Sequence, residues 1–401
     1  MSQTEVQLIK TNAVQTGDIA NSAVTDEKIA GLTSSKLTGA LPAISGASLT
    51  NLPASGKAHN LVINGAMKVA QRGTSNSGLD GYGSVDRFYP DKNQLDNLQG
   101  TQEQVGISDL PGFTNAFKLD ITTAETALAA DEYFTIGHRI EAQDLQQLAY
   151  GTSSAKSMTL SFHVKSSTTG TYVVSVYQAD GGRLITATYT INSANTWEKK
   201  VITYPGNTGV AIDDDNAQGL QFNFGLAAGS NWTSANTTSW TGYSDAGYLY
   251  GQTANLIAQT GTFFLTGVQL EVGSQATAFE HRSFAEELTL CQRYFQVLGG
   301  SNGTYDSMAT GSCASSTVAY VPHRLVATMR STPSFTLVGS ASDFRYTKGG
   351  DQTPSGLTLD QAGANMVAVR VSAASDHLGT DDAIRLFNVN TTGAFQFSAE
   401  I

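Results

Sequence analysis

The sequence predicts a mainly β protein. An extended N-terminal segment leads into an antiparallel jelly-roll sandwich, a short connecting helix and a small C-terminal β-sandwich. Three observations point there. Only 14% of the 401 residues are charged and 40 are glycine, whereas about 25% of a typical globular domain is charged. Ser, Thr, Asn and Gln fill the gap, which is the palette of short strands and tight turns. Apolar and polar residues alternate in several runs, the period-2 signature of a half-buried strand. Finally, no aromatic residue occurs before Tyr82.

The charge balance excludes some functions. Lys plus Arg total 23 against 34 Asp plus Glu, a net charge of −11. That is the wrong sign for a basic nucleic-acid surface. Hydrophobic residues reach 40%, too many for a disordered chain. No apolar run is long enough to predict a membrane span. The first residues, Met1-Ser2-Gln3-Thr4-Glu5, lack the basic and apolar regions of a secretory signal. Cys291 and Cys313 are too few for a disulfide framework; two free thiols are expected, with a single bridge as the alternative.

Residues 1–57 form the first segment. Val14 and Ile19 are echoed by Val24 and Ile29 ten residues on, and Leu32 and Leu37 repeat the spacing of five. Each copy has too few apolar groups to fold alone, so it needs a neighbour to bury against. Identical chains side by side would supply one; the alternative is a polar linker. Glu5, Asp18, Asp26 and Glu27 balance Lys10, Lys28, Lys36 and Lys57 here, so the net negative charge lies further along.

Residues 58–283 read as the sandwich. Met158, Leu160, Phe162 and Val164 alternate with polar residues, as do Leu220, Phe222, Phe224 and Leu226. Val173–Tyr177, Leu184–Ile191, Trp197–Tyr204 and Phe263–Val272 are further strand-like runs, separated by glycines. A short helix is expected within Ile140–Tyr150. The connecting helix, residues 284–300, has Phe284, Leu288, Cys291 and Phe295 on one stripe, with Ser283 and Glu286 as a capping box. Gly299-Gly300 would end it. Residues 301–401 then alternate short strands with glycine turns, as a small sandwich does.

Asn60-Leu61-Val62-Ile63-Asn64-Gly65, Gln71-Arg72-Gly73-Thr74 and Val85-Asp86-Arg87-Phe88 open the region 58–300. Gly267 to Gly273, Ala278 to Ser283, and Glu286-Glu287-Leu288 with Cys291-Gln292-Arg293-Tyr294-Phe295 close it. In this order the motifs resemble the opening and the close of the jelly-roll domain of tailed-bacteriophage tail fibres, a fold like that of carbohydrate-binding modules. The resemblance covers residues 58–300, and more loosely the N-terminal repeats and the ending Phe397–Ile401. It implies a homotrimer attached to a baseplate or tail protein through its N-terminus, with distal domains that bind host glycans. It also implies a virion component assembled in the host cytoplasm.

Catalytic signals are weak. Gly299-Gly300-Ser301-Asn302-Gly303 matches G-x-S-x-G, but a nucleophile elbow needs a strand before it and a helix after it. Asp213-Asp214-Asp215 fails the EF-hand pattern, because Gln218 and Phe224 stand where Gly and Glu are required. Asp213, Asp215 and Glu271 remain weak calcium candidates; Glu271 has an alternative in pairing with Arg72 or Arg87. The six histidines make no zinc motif. No cofactor is expected, a structural calcium aside.

The stretch Ser230–Tyr250 is the most suggestive. Trp232, Trp240, Tyr243, Tyr248 and Tyr250 sit among Ser, Thr, Asn and Gly. Aromatic faces stack on sugar C–H faces while hydroxyls and amides read the sugar hydroxyls. The competing reading is that these rings cover a sandwich edge or pack between chains. In the C-terminal unit, Tyr320, Tyr346, Phe344, Arg324, Arg345 and Lys348 are available for receptor contact. The expectation is therefore a non-enzymatic adhesive fibre that binds host polysaccharide. A glycan depolymerase and a carbohydrate-binding module from outside a virion are the alternatives.

Overall fold

The computed structural model describes residues 60–300 and 307–401, which belong to one compact unit, Gly56–Ile401. The expected attachment segment, with Val14, Ile19, Val24, Ile29, Leu32 and Leu37, lies outside the described residues, as does Ser301 of the G-x-S-x-G match.

The sandwich is built from β1 (Ser75–Asn76), β2 (Phe88–Asn93), β3 (Gln99–Gly106), β4 (Asn115–Thr123), β5 (Tyr133–Glu141), β6 (Met158–Ser166), β7 (Gly170–Gln178), β8 (Arg183–Ile191), β9 (Glu198–Tyr204), β10 (Gln218–Ala228), β11 (Thr241–Gly242) and β12 (Gly261–Val272). They form two six-stranded sheets: sheet I, ordered β1-β3-β4-β12-β6-β9, and sheet II, ordered β11-β8-β7-β10-β5-β2. All pairings are antiparallel, and the chain crosses repeatedly from one sheet to the other, as in a jelly roll. The alternating runs supply the core: Phe162, Val164, Phe222, Phe224, Phe263 and Leu265 all point between the sheets. The helix expected near residues 140–150 is a 3-10 helix, Ala142–Leu148, that plugs one end of the core with Leu145 and Leu148.

The quoted motifs at both ends of the sandwich prove to be structural. Asn60 acts as a short piece of sheet: its side chain accepts from the Val62 and Leu270 amides and donates to Val268 O. Asn64, at φ +61°, bridges Val69 and Asp86. Gly65 packs so close that a Cβ would lie 2.0 Å from Val268 O, so no larger residue fits. These contacts tie the entry of the sandwich to its last strand.

Helix α1 spans Phe284–Gln292, shorter than the expected 284–300. The Ser283 side chain does accept from the Glu286 amide. The chain then leaves the helix, and Phe295–Gly299 becomes strand β13. Pairing decides this: Phe295-Gln296-Val297-Leu298 finds a partner in the last strand of the chain, which outweighs a helical period of one turn. The buried face also differs from the expected stripe. Phe284 is exposed, while Glu287 and Cys291 are buried. Glu287 earns burial by accepting from the Asn64 amide (2.5 Å) and from Arg282 (3.4 Å).

The C-terminal unit therefore begins at β13 rather than at residue 301. It continues with β14 (Ser307–Cys313), β15 (Val318–Arg324), β16 (Ser334–Val338), β17 (Phe344–Thr347), β18 (Asp351–Gln352), β19 (Gly356–Ala362), β20 (Met366–Ser372), β21 (Ala383–Asn388) and β22 (Ala394–Ser398). A three-stranded sheet, β13-β22-β16, and a seven-stranded sheet, β18-β17-β21-β14-β15-β20-β19, share one core around Phe344, Val369, Leu386, Phe395 and Phe397. Both cysteines are buried and free.

A buried ionic joint links this unit to the sandwich. Arg87 is fully buried; it pairs with Glu400, donates to Arg139 O (2.7 Å) and stacks 3.5 Å from the Tyr294 ring centroid. Arg72 bridges Glu400 (3.1 Å) and Asp86 (3.7 Å) and stacks on Phe295. Neither arginine pairs with Glu271, so that alternative is corrected: Glu400 brings its carboxylate to both instead. Arg293 grips Glu141 with two bonds of 2.6 and 2.7 Å. Burial works to raise the Glu141 carboxyl, but the bonds from Arg293, Tyr294 and Gln143 and the charge of Arg293 together hold it below the usual range.

Candidate functional site

Which side chains leave the outer face of sheet II follows from alternation. β5 buries Phe134, Ile136 and Ile140, so Tyr133, Thr135, Gly137 and Arg139 face outward. β10 likewise presents Gln221, Asn223 and Gly225; β7 presents Val173, Ser175 and Tyr177; β2 presents Tyr89 and Asp91. Register then sets these side by side. Tyr89, Gly137, Asn223, Ser175 and Thr186 form one row across the sheet, and Asp91, Thr135 and Gly225 the row beside it. The floor is thus made of short or polar side chains.

Rings flank this floor. The Tyr89 ring lies over Gly137, where a Cβ would sit 2.3 Å from its Cζ. On the other side, Tyr133 meets Trp232 edge-on at 4.7 Å and Tyr248 at 5.4 Å between centroids. Tyr243 joins Tyr248 at 6.1 Å and Tyr177 at 5.2 Å, and remains 45% exposed. Leu249 and Gln252 close over Gly225. Three polar atoms here are buried without a hydrogen-bond partner among the described residues: Tyr89 Oη, Thr135 Oγ1 and Trp232 Nε1. Leaving such groups unmet costs about 1–3 kcal/mol each.

Electrostatics on this face are acidic. Asp91 is half-buried, and Tyr133 Oη donates to it at 3.1 Å. Burial raises its carboxyl above the ordinary value and nearby Asp80 adds to this, while the Tyr133 bond and the charge of Arg139 oppose it. Burial is also the first cause that lifts the Tyr133, Tyr243 and Tyr248 hydroxyls, and the charge of Asp91 contributes to all three. Arg139 is occupied: it bonds Gln221 and Ile401 O and lies over the Tyr89 ring at 4.7 Å.

The five residues singled out by sequence divide. Trp232, Tyr243 and Tyr248 belong to this face. Trp240 does not: its Nε1 donates to Pro205 O (2.7 Å) and its ring packs on Tyr150 and the sandwich core. Tyr250 is half-buried in the turn after Gly247. Tyr89, Asp91, Tyr133, Thr135, Gly137, Ser175, Tyr177 and Asn223 were missed. Alternation hinted at which of them face outward, but only strand order makes neighbours of residues far apart in sequence.

The metal candidates are spread out. Glu271 accepts from the Thr277 amide (3.0 Å) and hydroxyl (2.5 Å). Asp213 donates its amide to Asp180, and Asp215 accepts from the Ala217 amide in a polar turn. Among the described residues, no group of three or more His, Cys, Asp and Glu is placed to hold a metal ion.

Fold and face together define a class: a two-sheet β-sandwich with one outer sheet face lined with rings and hydroxyls. Neither a protein-family model nor a curated protein sequence matches the chain. Solved structures resemble it loosely over about half of its length. The enzymatically active domain of tailspike protein 4 of bacteriophage CBA120 is similar over 53% of this chain, at 13% identity and a TM-score of 0.30; this chain spans only 21% of that one. A family 11 carbohydrate-binding module of a cellulosomal cellulase from Clostridium thermocellum is similar over 52% of this chain and 98% of its own, at 14% identity and a TM-score of 0.27. A family 61 module solved with β-1,4-galactotriose covers 53% and 99%, at 9% identity and a TM-score of 0.27. At these scores the likeness concerns fold alone.

Proposed function

We propose that this chain is a non-catalytic adhesive protein that binds a polysaccharide on the outer face of sheet II. The observation that carries this is the set of buried atoms without a partner among the described residues, Tyr89 Oη, Thr135 Oγ1 and Trp232 Nε1, beside the partly exposed rings of Tyr133, Tyr177, Trp232 and Tyr243. Rings without hydroxyl readers would suit any apolar ligand; hydroxyl readers without rings would suit water. Both together suit a sugar, with its apolar C–H face and its hydroxyl edge. A glycan array on the purified chain tests the reading. Trp232→Ala is expected to weaken binding by roughly tenfold, a loss of about 1.4 kcal/mol. Trp240→Ala is expected to leave affinity unchanged, because that ring faces the core. Equal losses in both variants would refute the assignment to this face.

The sequence motifs support a more specific reading, that the adhesive protein is a phage tail fibre carried in the virion. In it, residues 1–57 join three copies to each other and to a tail or baseplate protein, and the sandwich and C-terminal unit meet the host surface. Light scattering on the intact chain is expected to return the mass of a trimer, and that of a variant lacking residues 1–57 the mass of a monomer. A monomeric intact chain would overturn the trimer.

A further inference from the structure

The polysaccharide reading leaves the chemistry of the sugar open, and Asp91 narrows it. Resting on that reading, we propose that the bound glycan carries an ammonium group, the free amine of an amino sugar or a quaternary ammonium substituent, and that Asp91 receives it between the rings of Tyr133, Tyr243 and Tyr248.

The argument begins with unmet demand. An ionised carboxylate can accept about four hydrogen bonds. Asp91 is half-buried, yet the hydrogen bond found for its side chain among the described residues is the single one from Tyr133, at 3.1 Å. It has no ion pair there. The nearest cations are committed elsewhere: Arg139 to Gln221, Ile401 O and the Tyr89 ring, and Lys92 to Leu95 O at 2.8 Å. Two charges act on Asp91 from beside it: that of Asp80, of the same sign, and the opposing one of Arg139, which makes no ion pair with it. A buried charge without a counter-ion is costly unless something neutralises it.

A second observation is independent of the acids. Thr135 stands directly opposite Asp91 in the β2–β5 register, on the same face. Its hydroxyl is fully buried and has no hydrogen-bond partner among the described residues. A hydroxyl in that state can accept from a donor-rich group placed over Asp91. An ammonium has donors to spare for both oxygens and no acceptor to waste.

The surroundings then choose between cations. Tyr133, Tyr248, Trp232 and Tyr243 are linked ring to ring at 4.7 to 6.1 Å. Ring faces attract organic ammonium groups, which shed water more readily than a small metal ion does. A hard metal ion would instead call for several oxygen ligands, and Asp91 has rings around it. A neutral sugar hydroxyl would meet one lone pair and leave the charge unbalanced; an acidic sugar would be repelled.

The test compares ligands with and without this charge. Titration calorimetry on the full chain uses glucosamine oligosaccharides, the same oligosaccharides fully N-acetylated, and choline. The amine form, or choline if the quaternary group is the true source, is expected to bind at least tenfold tighter than the acetylated form. Asp91→Asn keeps the size of the side chain, and a thermal melt matching the parent shows that it folds. It is expected to erase the preference while the acetylated chain still binds. Equal or tighter binding of the acetylated form, or a preference that survives in Asp91→Asn, overturns the ammonium subsite. Loss of acetylated and amine binding together with a blank glycan array would instead sink the polysaccharide reading itself.

Discussion

Replacing Glu400 with alanine is expected to lower the melting temperature by on the order of 10 °C. Arg87 is fully buried, and Glu400 is its carboxylate partner. Arg72 shares the same carboxylate at 3.1 Å. Removing one member of a buried pair leaves an uncompensated charge, at a cost of about 3–5 kcal/mol. Two neighbouring interactions remain in place: the bond to Arg139 O and the stack on Tyr294. They satisfy donors and cover the guanidinium, but they carry no negative charge. Arg87→Met together with Glu400→Leu is expected to regain most of the loss, because an apolar pair of similar volume suffers no desolvation. Calorimetric melts of the parent, the single variant and the double variant check this. An unchanged melt for Glu400→Ala would mean that the joint between sandwich and C-terminal unit does not depend on this pair.

Gly137→Val is expected to weaken glycan binding strongly while leaving the sandwich folded. β5 is held on both sides, by β2 and β10, so its backbone cannot retreat. A Cβ at residue 137 would lie 2.3 Å from Cζ and 2.6 Å from Oη of Tyr89. The Tyr89 ring must swing off the floor, at about 1–3 kcal/mol of overpacking. That removes one unpartnered hydroxyl and fills the row of short side chains between Gly137 and Ser175. Affinity should fall by roughly a hundredfold, equivalent to about 2.8 kcal/mol, with near-native circular dichroism. Full affinity in a folded Gly137→Val variant would move the binding face elsewhere on the molecule.

Much of the fold was legible because β structure writes itself locally. The runs at 158–164 and 220–226 became β6 and β10, with their apolar members in the core. Phe284 to Phe295 misled for a related reason. A helical stripe of four residues is a local signal, and strand pairing of Phe295 with Ser398, far along the chain, overrode its last turn. The same stripe placed Phe284 inward, whereas the actual burial of Glu287 depends on Asn64 and Arg282. An acidic residue does not announce such partners.

The candidate face shows the limit more sharply. Trp232, Tyr243 and Tyr248 were conspicuous as aromatics in a polar loop. Trp240 was equally conspicuous and turned inward, because Pro205 O offered its indole a partner. Asp91 and Thr135 read as ordinary strand residues.

By itself the sequence determined the class of structure, the alternation that separates core from surface, the low charge, and the loop that supplies several of the rings. Those are properties of composition and of neighbours in the chain. Tertiary structure alone decided that Tyr89, Gly137, Asn223 and Ser175 form one row, that Asp91 stands opposite Thr135 with no ion pair among the described residues, and that Glu400 reaches Arg87. Each joins residues whose meeting depends on strand order and register, which arise from packing over the whole domain rather than from any local preference.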